Sequence, residues 1–333
     1  MRRFLKWLLF FIVIIVVLYY GYSEYRSFRM PGRSYTATME PLDNFQSRLR
    51  DHLHEHVNVL AGNIGERNLT HYDKLEQAAL YIRRYLEVTQ GYKVEEFDYT
   101  VQGKTCRNLY AILEGTDKSK GTVILGAHYD SVTLSPGAND NGSGVAAVLE
   151  LARIMKNEAP AKPIMFAFFP NEEPPYFQTD NMGSLRLARE LKNQNLQISA
   201  MLSIETIGYY SDQPNSQKYP RGLASFYPRT GNFIGFVSDL HSRELLKNAL
   251  GEFRASTHFP SEGASMPSWI EGIGFSDHWS FWHIGAPAIM VTDTAPFRYP
   301  YYHTANDTPD KLDYDKVARV VVGLKHVAMK LAE

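Results

Sequence analysis

The sequence predicts an α/β fold: a three-layer arrangement with a mixed, mostly parallel sheet and helices on both faces, preceded by one N-terminal transmembrane helix. Three observations carry this. Short β-rich apolar runs alternate with helix-length amphipathic segments through most of the 333 residues, the pattern of βαβ units. Some of these runs, such as IMFAFF at 164–169, are apolar throughout, as strands covered on both faces are. The chain opens with Arg2, Arg3 and Lys6 followed by a nearly unbroken apolar run over residues 7–20.

That opening run has two readings, a signal-peptide core or a retained signal anchor. A helix counted from Phe4 spans roughly 25 Å, slightly short of a hydrocarbon core of about 30 Å, and Lys6 reaches the interface by snorkelling. Trp7, Tyr19 and Tyr20 sit where an interfacial aromatic belt belongs, and no clear small-residue cleavage site follows. Residues 1–21 are therefore expected to be a signal anchor that holds the chain to a membrane, with the bulk on the exported side. If the segment is cleaved, the protein is secreted. Residues 22–38 carry Pro, Gly, Ser and basic residues without periodicity and are expected to be a stalk. Residues 39–333 form the remaining domain.

Within that domain, apolar steps of three and four from Leu42 to Val59 predict a helix, as does the pattern from Lys74 to Glu87. On the first helix His52 and His56 share i, i+4 spacing, but a solvated face is the expected setting for His52, His54 and His56. Strands are expected over Val94–Tyr99, Asn108–Leu113, Val123–His128, Ile164–Phe169, Ile198–Ile204 and Ala288–Val291, and helices over Gly144–Met155, Ser184–Leu191 and Val317–Leu331. Between Gly208 and Ser268 the signal weakens: Phe233–Phe253 reads as helical and His258–Pro267 as a loop.

Hydrophobic residues make up 44% and charged residues 21%, enough for a substantial core. A net charge of -1 gives no general attraction to nucleic acid, and no nucleic-acid partner is expected. Cys106 is the single cysteine, which rules out an intrachain disulfide.

The chemistry gathers between Gly126 and Glu173, in GAHYDSV, GANDNGSG and FFPNEEPP. His128, Asp130, Asp140, Glu172 and Glu173 each follow a strand or a strand-plus-turn, where an α/β sheet collects its ligands. Glu205 follows another strand, and His303 lies in an aromatic loop. Imidazole and carboxylate together suit a borderline divalent ion such as zinc. Asp277 and His278 are expected to support the site from a neighbouring loop, and Phe177, Tyr209 and Tyr210 to pack rather than bind.

These motifs, with GS before a helix, SDHWSF and YYHTANDT, resemble the co-catalytic di-zinc aminopeptidases, whose family also holds glutamate carboxypeptidase, glutaminyl cyclases and transferrin-receptor-like ectodomains. The resemblance runs from about Leu42 to the C-terminus. It implies the zinc-exopeptidase, phosphorylase/hydrolase-like fold and peptide substrates. It further implies that His128 and Glu205 bind one Zn2+, Glu173 and His303 another, and that Asp140 bridges them; a single zinc is the alternative. By the same resemblance Glu172 is the general base, Asp130 orients the His128 imidazole, Tyr302 hydrogen-bonds the oxyanion, and Asp140–Asn141 is a cis peptide. Many relatives have aspartate where this chain has Glu205. Aminopeptidase activity is the leading expectation; a carboxypeptidase, a glutaminyl cyclase-like acyltransferase and a catalytically silent ectodomain are the alternatives.

Overall fold

The computed structural model describes residues 29–333, together with Trp7, Phe11, Ile12 and Ile14. Apart from those four positions, the expected anchor lies outside the described residues, as do residues 22–28 of the expected stalk. Among the described residues no helix is long and apolar enough to cross a membrane.

Among the described residues eight strands form one sheet: β1 (Val94–Val101), β2 (Lys104–Leu113), β3 (Thr122–His128), β4 (Ile164–Phe169), β5 (Ile198–Ile204), β6 (Ile234–Ser238), β7 (Ser261–Ser265) and β8 (Ala288–Thr292). Their spatial order is β1-β2-β4-β3-β5-β8-β6-β7. The central strands β4, β3, β5 and β8 run parallel; β1 and β2 pair antiparallel with their neighbours, and β6 is antiparallel to β8 but parallel to β7. Leu125 lies beside both Phe166 and Leu202, so the parallel strands end at nearly the same level. Whatever follows β3, β4 and β5 therefore emerges on one edge of the sheet.

Alternation along each strand divides the core in two. Val123, Leu125, Phe166, Phe168, Leu202 and Ile204 pack on one face, against helices α1 (Asn44–Val57), α2 (Tyr72–Arg84) and α3 (Gly144–Met155). Ile124, Met165, Phe169 and Met201 face the other way, against α4 (Gly183–Asn193). Helix α5 (Arg243–Ser256) adds Leu246, Leu250 and Phe253 to the first face, and α6 (His278–His283) adds Phe281 to the second. After α7 (Ala295–Arg298), the closing helix α8 (Tyr314–Leu331) returns to the first face through Val317, Val321 and Leu324. Asp43 starts α1 with a capping box, accepting from Gln46 N at 2.7 Å while the Gln46 side chain accepts from Asp43 N.

Three expectations need correction. The segment expected to be helical over 233–253 is a strand, β6, followed by α5: Ile234 and Phe236 alternate into the core, a period of two hidden beside the helical spacing of Leu246, Leu250 and Phe253. The loop expected at 258–267 contains β7, an edge strand of sequence SEGAS with no large apolar residue. Part of the expected stalk covers that edge, with Ser34 Oγ accepting from Ser261 N at 2.9 Å and Arg254 donating to Pro31 O. The histidine face of α1 is also only partly solvated. His56 is buried, with Nδ1 2.6 Å from the Tyr81 hydroxyl and Nε2 3.3 Å from Glu150.

Candidate metal centre

The parallel strands deliver the polar residues the sequence singled out. His128 ends β3, Glu172 and Glu173 follow β4, and Glu205 follows β5. Asp140 lies in the tight turn before α3. That turn begins at Gly137, in the left-handed region at φ +64°, and contains a cis Asp140–Asn141 peptide, as the resemblance implies. Gly144 opens α3 hard against β5, because a Cβ there would lie 2.1 Å from Ile204 O. Left-handed non-glycine residues flank or form other positions of the site: Asn171 before Glu172, Thr206 after Glu205, and His303 itself at φ +57°. Such backbone costs about 1–3 kcal/mol per residue and persists only where the surroundings over-determine it.

The side chains converge on Asp140. Its Oδ1 lies 3.3 Å from His128 Nε2, which is 3.1 Å from Glu205 Oε2. Its Oδ2 lies 3.1 Å from His303 Nε2, which is 3.2 Å from Glu173 Oε2. Two groups result, His128–Asp140–Glu205 and Asp140–Glu173–His303, each with its ligand atoms within 4.8 Å of one another. The longer Glu205 side chain is accommodated by two donors to one oxygen, Ser276 Oγ at 2.9 Å and Asn141 Nδ2 at 3.2 Å.

Asp130 departs in part from its expected place. Its Oδ1 is 3.3 Å from His128 Nδ1, but the contact is off the hydrogen-bonding direction, and Nδ1 has no hydrogen-bond partner. The carboxylate accepts instead from the backbone amides of Glu172 and Glu173, each at 3.1 Å. It thus shapes the turn carrying both glutamates. Tyr302 stacks its ring on the His303 imidazole at 3.8 Å between centroids. Asp277 is fully buried beside the cluster, whereas His278 turns away, with Nε2 2.7 Å from Ile273 O.

Negative charge is in excess here. Asp130, Asp140, Glu172, Glu173, Glu205, Asp277 and Asp307 are all buried. Burial, followed by the charge of Asp140, pushes Glu173 up to about 7; burial also carries Glu205 to about 7, with Asp140 adding to the rise against the pull of His128. Glu172 rises well above the usual carboxylate range through burial and the charges of Glu205 and Glu173, although His128 opposes them. Burial lowers His303, but the carboxylates of Asp140 and Glu173 beside its Nε2 outweigh that and raise it to about 10. Both Asp140 oxygens and His303 Nε2 are buried without a hydrogen-bond partner. The nitrogen and oxygen donors, their convergence and their surplus negative charge fit divalent cations such as zinc, which would replace the protons these groups otherwise hold.

An apolar cavity of about 100 Å³ opens beside the cluster, with Glu205 and Tyr302 in its wall. The rest of the wall comes largely from β6, β7 and the loops around them, including Tyr219, Tyr227, Phe233, Phe236, Met266 and Phe297. The sequence reading missed these residues, since they lie in the stretch where periodicity was weakest. As expected, Phe177, Tyr209 and Tyr210 pack, against Phe275, Tyr299 and Phe259 respectively. Also missed were Arg67, which lies in a short irregular segment, and the part played by Asp293, which accepts from Asn139 Nδ2, Thr206 Oγ1 and Tyr209 N behind the Asp140 turn.

Over 82% of its length the chain is 35% identical to the uncharacterized protein YfbL of Escherichia coli K12, covering 86% of that protein. A probable leucine aminopeptidase of Arthroderma otae is 30% identical over 70% of the chain, which spans 59% of that protein's length. Among solved structures, the Legionella pneumophila LapA aminopeptidase superposes with a TM-score of 0.65 over 89% of this chain and 77% of its own. Its 19% identity makes it a likeness of fold alone. Residues 108–327 match the family described as Peptidase family M28, and this match takes in every ligand candidate. The chain belongs to peptidase family M28.

Proposed function

We propose that the protein is a metal-dependent aminopeptidase that hydrolyses the N-terminal residue of peptide substrates. The observation that carries this reading is the sharing of Asp140 between two ligand groups beside an apolar cavity. In this reading His128 and Glu205 would hold one zinc, Glu173 and His303 would hold a second, and Asp140 would offer one oxygen to each group. Zinc bound there supplies a Lewis acid for the scissile carbonyl and draws the pKa of water toward 7.

The chain's own residues do the rest. Glu172, buried 3.9 Å from His128 and ligating neither group, takes the proton from the attacking water and returns it to the leaving amine. Asp130 fixes the backbone of Glu172 and Glu173 while that proton moves. The Tyr302 hydroxyl donates to the oxyanion, and stacking on His303 limits the positions of its ring. The cavity beside Glu205 takes the side chain of the residue released, so large apolar residues such as leucine are favoured. The basic and apolar N-terminal segment supports an exported domain tethered to a membrane, or secreted if the segment is removed.

The test compares the wild-type chain with Glu172→Ala on leucyl-anilide and on glutaminyl peptides. The wild type should release aniline and lose activity with a chelator. The variant should lose at least about 100-fold in kcat with its zinc content unchanged. Cyclisation of glutaminyl peptides without anilide hydrolysis would assign an acyltransferase instead, and wild-type turnover by the variant would remove Glu172 from the mechanism.

A further inference from the structure

The turn that presents Asp140 is gripped from two sides by residues that are not among the ligand candidates. On one side stands Arg67, with a relative exposure of 0%. Its Nε donates to Tyr129 O at 2.7 Å, between His128 and Asp130. Its Nη2 donates to Gly137 O at 2.9 Å, and its Nη1 to the carbonyls of Pro136, Gly65 and Leu60. The backbones join as well: Arg67 N donates to Ser131 Oγ, and Ser131 N donates to Arg67 O. One side chain therefore ties the exit of β3, the start of the Asp140 turn and the segment after α1.

On the other side stands Asp307, also fully buried. Its Oδ1 accepts from Asn139 N at 2.8 Å and from the Tyr299 hydroxyl at 2.8 Å, and its Oδ2 accepts from Asp140 N at 3.1 Å. Its carbonyl accepts from Ala138 N. The carbonyls of residues 136–137 thus point to a guanidinium, and the amides of residues 138–140 point to Asp307. The peptide dipoles of one short turn are held at opposite ends by opposite charges.

Among the described residues Arg67 forms no ion pair with a carboxylate. A buried cation without one is tolerated only where backbone oxygens solvate it fully, and five carbonyls do so only if the turn stays in place. The arrangement therefore constrains the direction in which the Asp140 side chain leaves the backbone. That direction matters because the two Asp140 oxygens face different histidines, Oδ1 toward His128 and Oδ2 toward His303.

We propose that Arg67 and Asp307 are positioning residues for the metal centre, clamping the turn that carries Asp140 so that each of its oxygens serves one ligand group. The proposal rests on the metal-centre reading above, and a separate outcome tests each. Arg67→Lys keeps the charge but has three donors for five acceptors. Asp307→Asn keeps the shape but sets an amide group against one of the backbone N–H donors.

The full-length chain and both variants, purified in detergent, are titrated with zinc in competition with a chromophoric chelator. Thermal melting and the kcat and KM for leucyl-anilide are measured alongside. The expected result is a cooperative melt for each variant, zinc affinity lower by about 10- to 100-fold, and a loss carried by kcat more than by KM. A folded variant that binds zinc with wild-type affinity overturns the proposal. If neither variant folds, Tyr299→Phe, which removes one hydrogen bond to Asp307, decides: reduced zinc affinity supports the clamp and unchanged affinity overturns it. A wild-type chain that binds no zinc overturns the metal-centre reading, and the clamp's role falls with it.

Discussion

Glu205→Asp tests the one ligand candidate at which the family resemblance leads one to expect the shorter acid. Shortening the side chain by one methylene withdraws the carboxylate by roughly one C–C bond, about 1.5 Å. The backbone is poorly placed to follow. Glu205 N donates to Val291 O at 3.0 Å, and Thr206 N donates to Asn141 Oδ1 at 3.2 Å, so both sides of the residue are tied to neighbouring elements. The bonds from Ser276 Oγ, now 2.9 Å, and from Asn141 Nδ2, now 3.2 Å, stretch beyond hydrogen-bonding range. Each such bond to a charged group is worth about 1.5 kcal/mol or more, and metal–ligand distances tolerate only about ±0.2 Å. Loss of the partners that orient a ligand weakens a metal site by about 10- to 100-fold, and the added withdrawal of the carboxylate itself sets the expectation at about 100-fold. The effect should be confined to the ion beside His128, because Glu173 and His303 are untouched. Calorimetric zinc titration of the two proteins checks this: one tight ion should remain while the other weakens by about 100-fold. Two ions bound with wild-type affinity would refute Glu205 as a ligand in this geometry.

Two further substitutions probe the surroundings. Ala264→Phe projects a ring into the apolar cavity, so kcat/KM for leucyl-anilide should fall at least about tenfold while alanyl-anilide changes less than about threefold. Equal effects on both substrates would remove the cavity as the side-chain site. Glu150→Gln tests the buried network behind α3. Burial alone would raise Glu150, but hydrogen bonds from His56 and Arg153 outweigh it and hold its carboxyl down from 4.5 to about 2. A depressed carboxylate contributes its stability above its unfolded value and loses it as pH falls through the folded one, here between 4.5 and about 2. Urea denaturation should show the variant about 3 kcal/mol less stable at pH 6, with the gap closing toward pH 2. An unchanged difference across that range would contradict the assignment.

The sequence made the central sheet and the ligand positions legible for a local reason. A strand buried on both faces is a short apolar run, and a carboxylate or imidazole directly after it has few places to go except the sheet edge. Ile164–Phe169 and Ile198–Ile204 coincide with the observed strands because neither competes with a helical pattern. The β6–β7 region was illegible for the opposite reason. Ile234–Ser238 contributes only two large core side chains, and SEGAS draws its partners from β6 and from residues near the N-terminus. Asp307 lies in the aromatic loop after His303 with no strand before it to mark its direction, and its bonds go to the amides of Asn139 and Asp140 on a turn far away in sequence. Arg67 has no periodic context, so its buried position depends on tertiary contacts alone. His56 follows the same rule: its neighbours on α1 mark a surface helix, and the carboxylate that receives it lies on α3.

Metal analysis coupled to reconstitution tests the proposed two-ion centre around Asp140 most directly. The purified full-length chain is stripped of metal, zinc is returned in measured steps, and bound metal and leucyl-anilide hydrolysis are followed together. A two-ion centre should saturate at two zinc ions per chain, with activity that appears on loading and is lost with Asp140→Ala. Saturation at one zinc per chain or fewer, or hydrolysis that persists in the metal-free protein, would contradict it.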